Sequence, residues 1–537
     1  MEIKKKPEEI FKEYQKDQEY KSSLGLYDAV DLYNKFYHGE QWDGVNAPDI
    51  QKITINILKP AIKYYVSMIV SDDIGISIED FDDEGESQVI EDVIKNEVNK
   101  VFERNRFNYK TREYIKSTAI DGDGCMYIYM DDSPAGVYST QEGEQIPIVG
   151  NIKIELVDNT RVHFANPAEH DVNEQPYIIL SFKKYLDDVK AEAKERGLSQ
   201  EEIEKISDDN DEYNHDENNT NKYATVMVKL FKDGGTVKFI KCTKDVILIE
   251  ETDTEIDVYP VIFQSWEKKK RSYHGVSSIK AEINNQIFIN QIFSMAMQWQ
   301  KMHAFPKIIY DKRKIKNFDN RIGVSLGIDG DPRESIFESF ASKGMNNQAI
   351  ELANLTIDKT KDVLGVFDAA LGNVKPDNTS AIIAVQRAAS QPLELQKMDF
   401  YQMIEDAIRV IVKLMGTYYG IRPTKQAVKT INPMTMQEEF QTVVDLFDFS
   451  QVMDFVDRTN VEIGGSSYWS ELTQVQTLDN LMQMQIIPDA LTYLEAVPDG
   501  YIKNKQKIID RIKEIQQPPV ADPSMGPMPP TPQGGMI

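Results

Sequence analysis

Residues 272–304, SYHGVSSIKAEINNQIFINQIFSMAMQWQKMHA, constrain this chain more than any other stretch. They open on Gly275-Val276-Ser277-Ser278 and then run on without Pro or Gly. Ile279, Ile283, Ile287 and Met295 recur at helical spacing, with Ile292 close to the same stripe, while Asn284, Asn285, Gln286, Asn290, Gln291, Gln298 and Gln300 fill the gaps. A long helix with one apolar stripe and amides elsewhere needs other helices beside it. It is too polar and too interrupted to span lipid. A ring of such helices is one arrangement that uses it.

The 537 residues suffice for two to four folding units with sizeable cores. With 41% hydrophobic and 28% charged residues, the composition is that of a soluble globular protein. It holds no apolar run long enough for a transmembrane helix, so no membrane partner is expected. The start, MEIKKKPEEIFKEY, is basic but has no apolar segment after it, unlike a signal peptide. Two distant cysteines, Cys125 and Cys242, suggest a reducing compartment rather than a disulfide framework. The net charge of −26 argues against wrapping nucleic acid over the whole surface. It leaves room for DNA moving through a channel that must not grip it.

Residues 7–38 read as helices broken near Ser22–Gly25, with Tyr33, Phe36, Tyr37 and Trp42 gathered around a turn between Gly39 and Gly44. An apolar helix with an early Pro60 is expected at 55–71, and two more at 87–106 and 107–120. From Cys125 the period changes to short β-branched and aromatic runs: CMYIYM, NIKIELV, RVHFA, QPYIILSF, ATVMVKLF, TVKFIKC and VILIE. Lys232-Asp233-Gly234-Gly235 signals a hairpin between two of them. A helix at about 184–197 and an acidic stretch at 200–219 interrupt this region, the second half of the stretch reading as a mobile surface loop. A strand FPKIIYD and Gly-rich turns follow at 305–345, a helix at 346–364 and a loop at 365–379. Ser380 can cap a helix of about forty residues that Pro392 kinks. A strand-like VEIG precedes helices near 470–485, 488–496 and 502–516, and the Pro-rich tail 517–537 reads as disordered.

The chain has no phosphate-loop motif, no dinucleotide fingerprint, no H-E-x-x-H, no CxxC pair and no nucleophile elbow. Asp121-Gly122-Asp123-Gly124 lacks the spaced oxygens of a calcium loop and reads as a helix-to-strand turn. His163 and His170 have no third ligand nearby in sequence and read as packing or surface histidines; His274 reads as shaping the turn before Gly275. Asp208 and Asp209 sit in a polar stretch unsuited to acid–base work. Two basic clusters stand out: Lys268-Lys269-Lys270-Arg271 before the long helix and Lys312-Arg313-Lys314-Lys316 after it. They suit DNA phosphate or an acidic partner, or are plain solvated charge.

Taken in order, FYHGEQWDG (36–44), INILKPAIKYYVSMIVS (55–71), the 274–294 segment, residues 362–396 and residues 461–500 make the chain resemble the portal proteins of tailed double-stranded-DNA bacteriophages. The resemblance covers about 25–515 and implies an α+β, mainly helical portal fold assembling as a ring, usually of twelve subunits. It implies a wing at 1–263, stem helices at 264–304 and 346–364, a clip at 305–345, a tunnel loop at 365–379, more wing with the kinked helix at 380–465, a crown at 466–516, and the tail at 517–537. The clip is short, and the acidic stretch at 200–219 has no counterpart in the family pattern. By the same resemblance the chain is not an enzyme and uses no cofactor or metal. A separate terminase large subunit would supply the motor. Major capsid and scaffold proteins and a head–tail adaptor would be further partners, in a virion assembled in the host cytoplasm. Double-stranded DNA would pass without sequence specificity, meeting Asp368, Asn373, Lys375, Asp377 and Asn378 in the loop and Lys359 and Lys361 on the second stem helix. The competing expectations are a metal-dependent nucleic-acid-processing enzyme and an adaptor ring that carries no DNA.

Overall fold

The computed structural model describes residues 3–48, 50–70, 75–80, 87–139, 145–209, 222–304, 307–310, 312–313, 331, 336–340, 347–366, 391–431, 438–456, 459–464, 477–482, 484, 486–487, 490–497, 505, 508–509 and 511–512. Two compact units divide the chain: Met1–Ser71 with Ile76–Ile463, and Asp72–Gly75 with Gly464–Ile537.

In the larger unit, helix α1 (Pro7–Ser23) starts with Pro at its first turn and Glu8 and Glu9 beside it, and ends near Lys21, in the order the helix dipole favours. Gly25 and Gly39, both left-handed, bound α2 (Leu26–His38). Helix α3 (Leu58–Ile69) begins three residues later than the sequence suggests, because the N–H groups of Ile53, Ile55 and Ile57 bond to side chains of another helix. Helices α4 (Ser87–Asn105) and α5 (Phe107–Asp121) fall where expected.

Eight strands then form two antiparallel sheets. In the first, β3 (Gln145–Val157), β2 (Asp123–Ser139) and β9 (Val261–Ser265) lie in that order. The second is a meander of β4 (Val162–Phe164), β5 (Tyr177–Tyr185), β6 (Tyr223–Asp233), β7 (Thr236–Cys242) and β8 (Ile247–Asp253). The expected hairpin is a tight turn with both Gly234 and Gly235 at positive φ, a backbone that matches strand twist.

Alternation along β6 decides what covers each face of the meander. Met227 and Phe231, with Ile179, Ile240 and Cys242, pack on Ile10 and Tyr14 of α1. On the opposite face Ala224 and Val226, with Val246 and Leu248, pack on α6 (Leu186–Glu195) and α7 (Gln200–Lys205). The acidic stretch therefore begins as a helix: Ser199 and Glu202 close a capping box, and Ile203 anchors the turn. Residues 210–219 lie outside the described residues.

The 272–304 helix needs correcting. Residues 272–279 are not helical, and after a short turn at Lys280–Glu282 helix α8 runs Ile283–Ala304. It leads to β10 (Lys307–Tyr310), which pairs antiparallel with β11 (Ile336–Phe340), and α9 (Asn347–Val363) returns against α8. The forty-residue kinked helix is also corrected: Pro392 lies in a 3-10 turn, Gln391–Leu393, and α10 begins at Glu394 and ends at Tyr418. Residues 380–390 lie outside the described residues. Helix α10 buries Phe400, Ile404, Ile408, Ile411 and Met415 against the body, touching β2, β9 and α4. A long hairpin, β12 (Ile421–Ile431) with β13 (Glu438–Asp448), follows, then α11 (Gln451–Val456) and β14 (Thr459–Gly464), which pairs with β1 (Gly75–Asp80).

In the smaller unit, residues 477–482 and Ala490–Ala496 are helical, and Tyr493 donates to Asp479 at 2.5 Å. Among the described residues no helix is long and apolar enough to cross a membrane. The architecture is mixed α+β.

Candidate functional site: a helix arm and its root

Within the larger unit, α8, β10, β11 and α9 form an out-and-back arm, in which α9 packs along α8. Its 22-residue helix α8 is about 33 Å long. Three devices fix the arm's outgoing end, and a fourth contact holds the returning one.

The first is a ladder of amides. The face of α8 that is buried carries Gln286, Asn290 and Ser294, spaced by four residues. Their side-chain oxygens accept the backbone N–H groups of Ile57, Ile55 and Ile53 at 3.0, 2.9 and 3.0 Å. Every second residue of the 53–57 segment thus meets every fourth residue of the helix. Gln286 returns a bond to the Ile55 carbonyl, and Asn290 donates to Gln41. Thus Ile279 and Ile283 of the apolar stripe are buried as expected, but Gln286 and Asn290 are buried too, while Met295 of that stripe is 58% exposed.

The second device locks residues 272–278. Asp123, at the start of β2, accepts from Gly275 N at 2.6 Å and faces His274 Nδ1 at 2.7 Å. Gly122, at φ +96, and Gly275 meet back to back: a Cβ on Gly275 would lie 2.8 Å from the Gly122 carbonyl and 2.6 Å from Ser265 Cβ. Asp121–Gly124 is therefore the helix-to-strand turn expected, and it receives the root of the arm.

The third is a buried charge relay joining that root to α1. Tyr273 hydroxyl reaches Asp17 at 3.3 Å, and His163 Nδ1 lies 2.7 Å from the same oxygen. Lys21 donates to the carbonyls of Asn159, Thr160 and Val162 at 3.2, 3.1 and 2.5 Å, with Asp17 at 3.6 Å. Burial pushes Lys21 down to about 8 against the pull of Asp17. Burial and the Lys21 charge push His163 down to about 4, so it is neutral at pH 7. For Asp17, burial works against the carboxylate, but the His163 hydrogen bond and the Lys21 charge outweigh it and hold its pKa below the usual range. Burial raises the neighbouring Asp121 to about 7. His163 is thus a packing histidine, as the sequence suggests, and His274 shapes its turn.

At the returning end, Leu364 and Val366 are buried, and Tyr65 donates to the Leu364 carbonyl at 2.6 Å. The outer side of α9 carries exposed Leu352 (50%), Leu355 (54%) and Val363 (70%). Their spacing places them with Lys359 on one stripe, apart from the buried stripe of Ala353, Thr360 and Leu364.

The sequence-derived site residues divide as follows. Lys359 is exposed and pairs with Asp362 at 3.0 Å, and Lys361 is half-buried on the same helix. Lys268, Lys269, Lys270 and Arg271 form an exposed turn between β9 and the arm root, with Arg271 at φ +63. Lys312 and Arg313 are exposed beyond β10. Lys314, Lys316, Asp368, Asn373, Lys375, Asp377 and Asn378 lie outside the described residues. The first basic cluster lies before α8, and Lys312 and Arg313 of the second follow β10 beyond its far end. Asp209 accepts from Thr225 N at 2.9 Å and serves the fold. Among the described residues no group of three His, Cys, Asp or Glu could hold a metal. The relay and the amide ladder escaped sequence reasoning. Their members are scattered from Asp17 to Ser294, and only the four-residue spacing of Gln286, Asn290 and Ser294 was there to be read.

No protein-family model matches this chain, and no curated protein matches it.

Proposed function

We propose that this chain is a subunit of the portal ring of a tailed double-stranded-DNA bacteriophage, a channel at one capsid vertex through which the genome is packaged and ejected. The observation that carries the reading is the out-and-back arm. Two helices capped by a two-stranded ribbon are rooted at both ends in an α+β body, and α9 carries an uncovered apolar stripe. Exposed leucines on a helix cost nothing in a monomer's fold but need a partner surface in a defined assembly.

In this reading the arms of about twelve copies stand side by side as the stem. The β10–β11 ribbon belongs to the clip, where a terminase large subunit docks during packaging and a head–tail adaptor later. Capsid and scaffold proteins contact the wing. Residues 365–379 form the tunnel loop, where carboxylates and amides beside Lys375 give weak, sequence-independent phosphate contact. A net charge of −26 keeps the duplex from being gripped, because tight binding requires counterion release to many cations. The function needs no catalytic residue on this chain.

Light scattering of the purified chain, followed by negative-stain images, tests the proposal. A particle of about twelve chains with a central hole is expected. A chain that stays monomeric alone and with its capsid and scaffold proteins overturns it. Removal of residues 367–376 should leave the ring intact and impair DNA packaging.

A further inference from the structure

The basic turn before the arm faces solvent. Lys268, Lys269, Lys270 and Arg271 are all exposed, and none of them forms an ion pair among the described residues. Yet the turn is firmly set. Glu267 O accepts from Val276 N at 2.9 Å across its neck, and Ser265 Oγ donates to Tyr273 O at 3.0 Å beneath it. Trp266 N bonds Gly122 O at 2.9 Å. Four cations are therefore presented on a fixed base, which lowers the ordering cost of binding.

A matching surface exists elsewhere on the same unit. Helix α7 is fastened by its capping box and by Ile203 and Ile206 in the core, and turns Glu201, Glu204 and Asp208 to solvent. Between Gln200 and Asp209 there are five carboxylates and one ammonium, Lys205. The sequence adds Asp211, Glu212, Asp216 and Glu217 beyond it. Glu202 is engaged with Ser199 and Asp209 with Thr225, which leaves Glu201, Glu204 and Asp208 as the outward carboxylates. Glu204 has one weak neutral partner, Gln200, at 3.3 Å. The two surfaces rest on different elements: α7 on α6 and the β6 and β8 side of the meander, the turn on the end of β9.

We propose that the Lys268–Arg271 turn of one copy seats against the acidic face of α7, Glu201–Asp209, on a second copy of this chain. The inference rests on the ring reading and names where its subunits meet. Copies that each carry −26 repel one another, and a run of four cations is where an anionic neighbour can approach. A contact between two different patches, repeated by rotation, is heterologous, the kind that builds a ring when the rotation closes. Exposed ion pairs are individually weak, so this contact sets register and orientation, while apolar surface supplies most of the affinity.

The test uses two full-length variants. One carries Lys268→Glu, Lys269→Glu, Lys270→Glu and Arg271→Glu. The other carries Glu201→Lys, Glu204→Lys and Asp208→Lys. Each alone faces like charge at every contact and should lose the ring species at least about tenfold by native mass. In an equimolar mixture every contact between unlike copies is complementary again, so alternating rings should form, and fewer at high salt. Reassembly also shows that both variants fold. Three results overturn the proposal: either variant assembling like the parent chain, a mixture that stays apart although circular dichroism shows both folded, or a reversal variant that keeps its mass and loses only retention of duplex DNA. A parent ring untouched by either variant sinks this contact alone. A parent chain that never forms a ring sinks the ring reading, and the contact with it.

Discussion

Replacing Asn290 by Leu should release the root of the arm without disturbing the rest of α8. Asn290 Oδ1 accepts from Ile55 N at 2.9 Å and from Gln286 Nε2 at 3.1 Å, and its amide donates to Gln41. Leucine fills nearly the same volume but leaves these partners facing an apolar side chain. A polar group left unpaired in a buried site costs about 1–3 kcal/mol, and the Ile55 N–H and Gln41 oxygen are only partly shielded, so the loss should be about 2–4 kcal/mol. That corresponds to about 30- to 1,000-fold faster hydrogen exchange at the protected amides. The pattern matters as much as the size. Ile53, Ile55 and Ile57 donate to the ladder, so exchange resolved to single residues should rise at those three positions. Asn284→Leu, on the exposed side of the same helix, should change stability by no more than about 0.5 kcal/mol. Unchanged exchange at Ile53, Ile55 and Ile57 in the Asn290→Leu protein would refute the ladder as the anchor.

Protonation offers a separable test. His163 sits at about 4 against an ordinary 6.5, so its stabilising contribution is complete above pH 6.5 and lost as pH falls toward 4, about 3 kcal/mol in all. Asp121, at about 7 against 3.8, runs the other way: its contribution is present below 3.8 and lost as pH rises through 7. The two slopes oppose each other between about 4 and 6.5, so Asp121→Asn should lose stability relative to the parent by up to about 1.4 kcal/mol per pH unit on acidification, and a difference that is flat with pH would contradict the assignment. Gly275→Ala should lower the unfolding free energy by about 1–3 kcal/mol, because its Cβ would meet the Gly122 and Glu267 carbonyls at 2.8 Å each; an unchanged denaturation curve would contradict the close approach. Leu352→Glu with Leu355→Glu should leave the monomer's melting within about 0.5 kcal/mol and abolish assembly in light scattering; rings of normal mass would show that the stripe is not an interface.

Much of the local structure was legible because the signals were local. Pro7, Gly25 and Gly39 mark the ends of α1 and α2, and Gly234-Gly235 fixes the hairpin. What escaped depended on partners distant in sequence. Residues 272–279 have helical-looking spacing, yet Asp123 and Gly122 hold them irregular, since a buried carboxylate bonded to Gly275 N leaves no place for a helical turn. On α8 the apolar residues suggested the buried face. Gln286 and Asn290 share it with Ile283 and Ile289, because Ile53, Ile55 and Ile57 bring N–H groups that no leucine could satisfy. The β12–β13 hairpin was missed because NPMTMQEEFQTVVDLF has no crisp alternation, and its pairing partner, Ile421–Ile431, carries no clear strand signal of its own. Strand β9 escaped too; it is only five residues long, and pairing with Asp123–Tyr127 defines it. Of the candidate site, the two basic clusters and the pair of helices were readable as sequence; the relay of Asp17, Lys21, His163 and Tyr273 was not, because no spacing announces it.

The central claim is that the α8–α9 arm lines a channel through a ring of this chain. Electron cryomicroscopy of the assembled particle, averaged far enough to resolve helices as rods, tests it most directly. The account predicts paired rods, the longer about 33 Å, repeated around an open central axis, each pair ending in the small β10–β11 ribbon. Particles without a central opening, or with the helix pairs on the outer rim away from the axis, would contradict it.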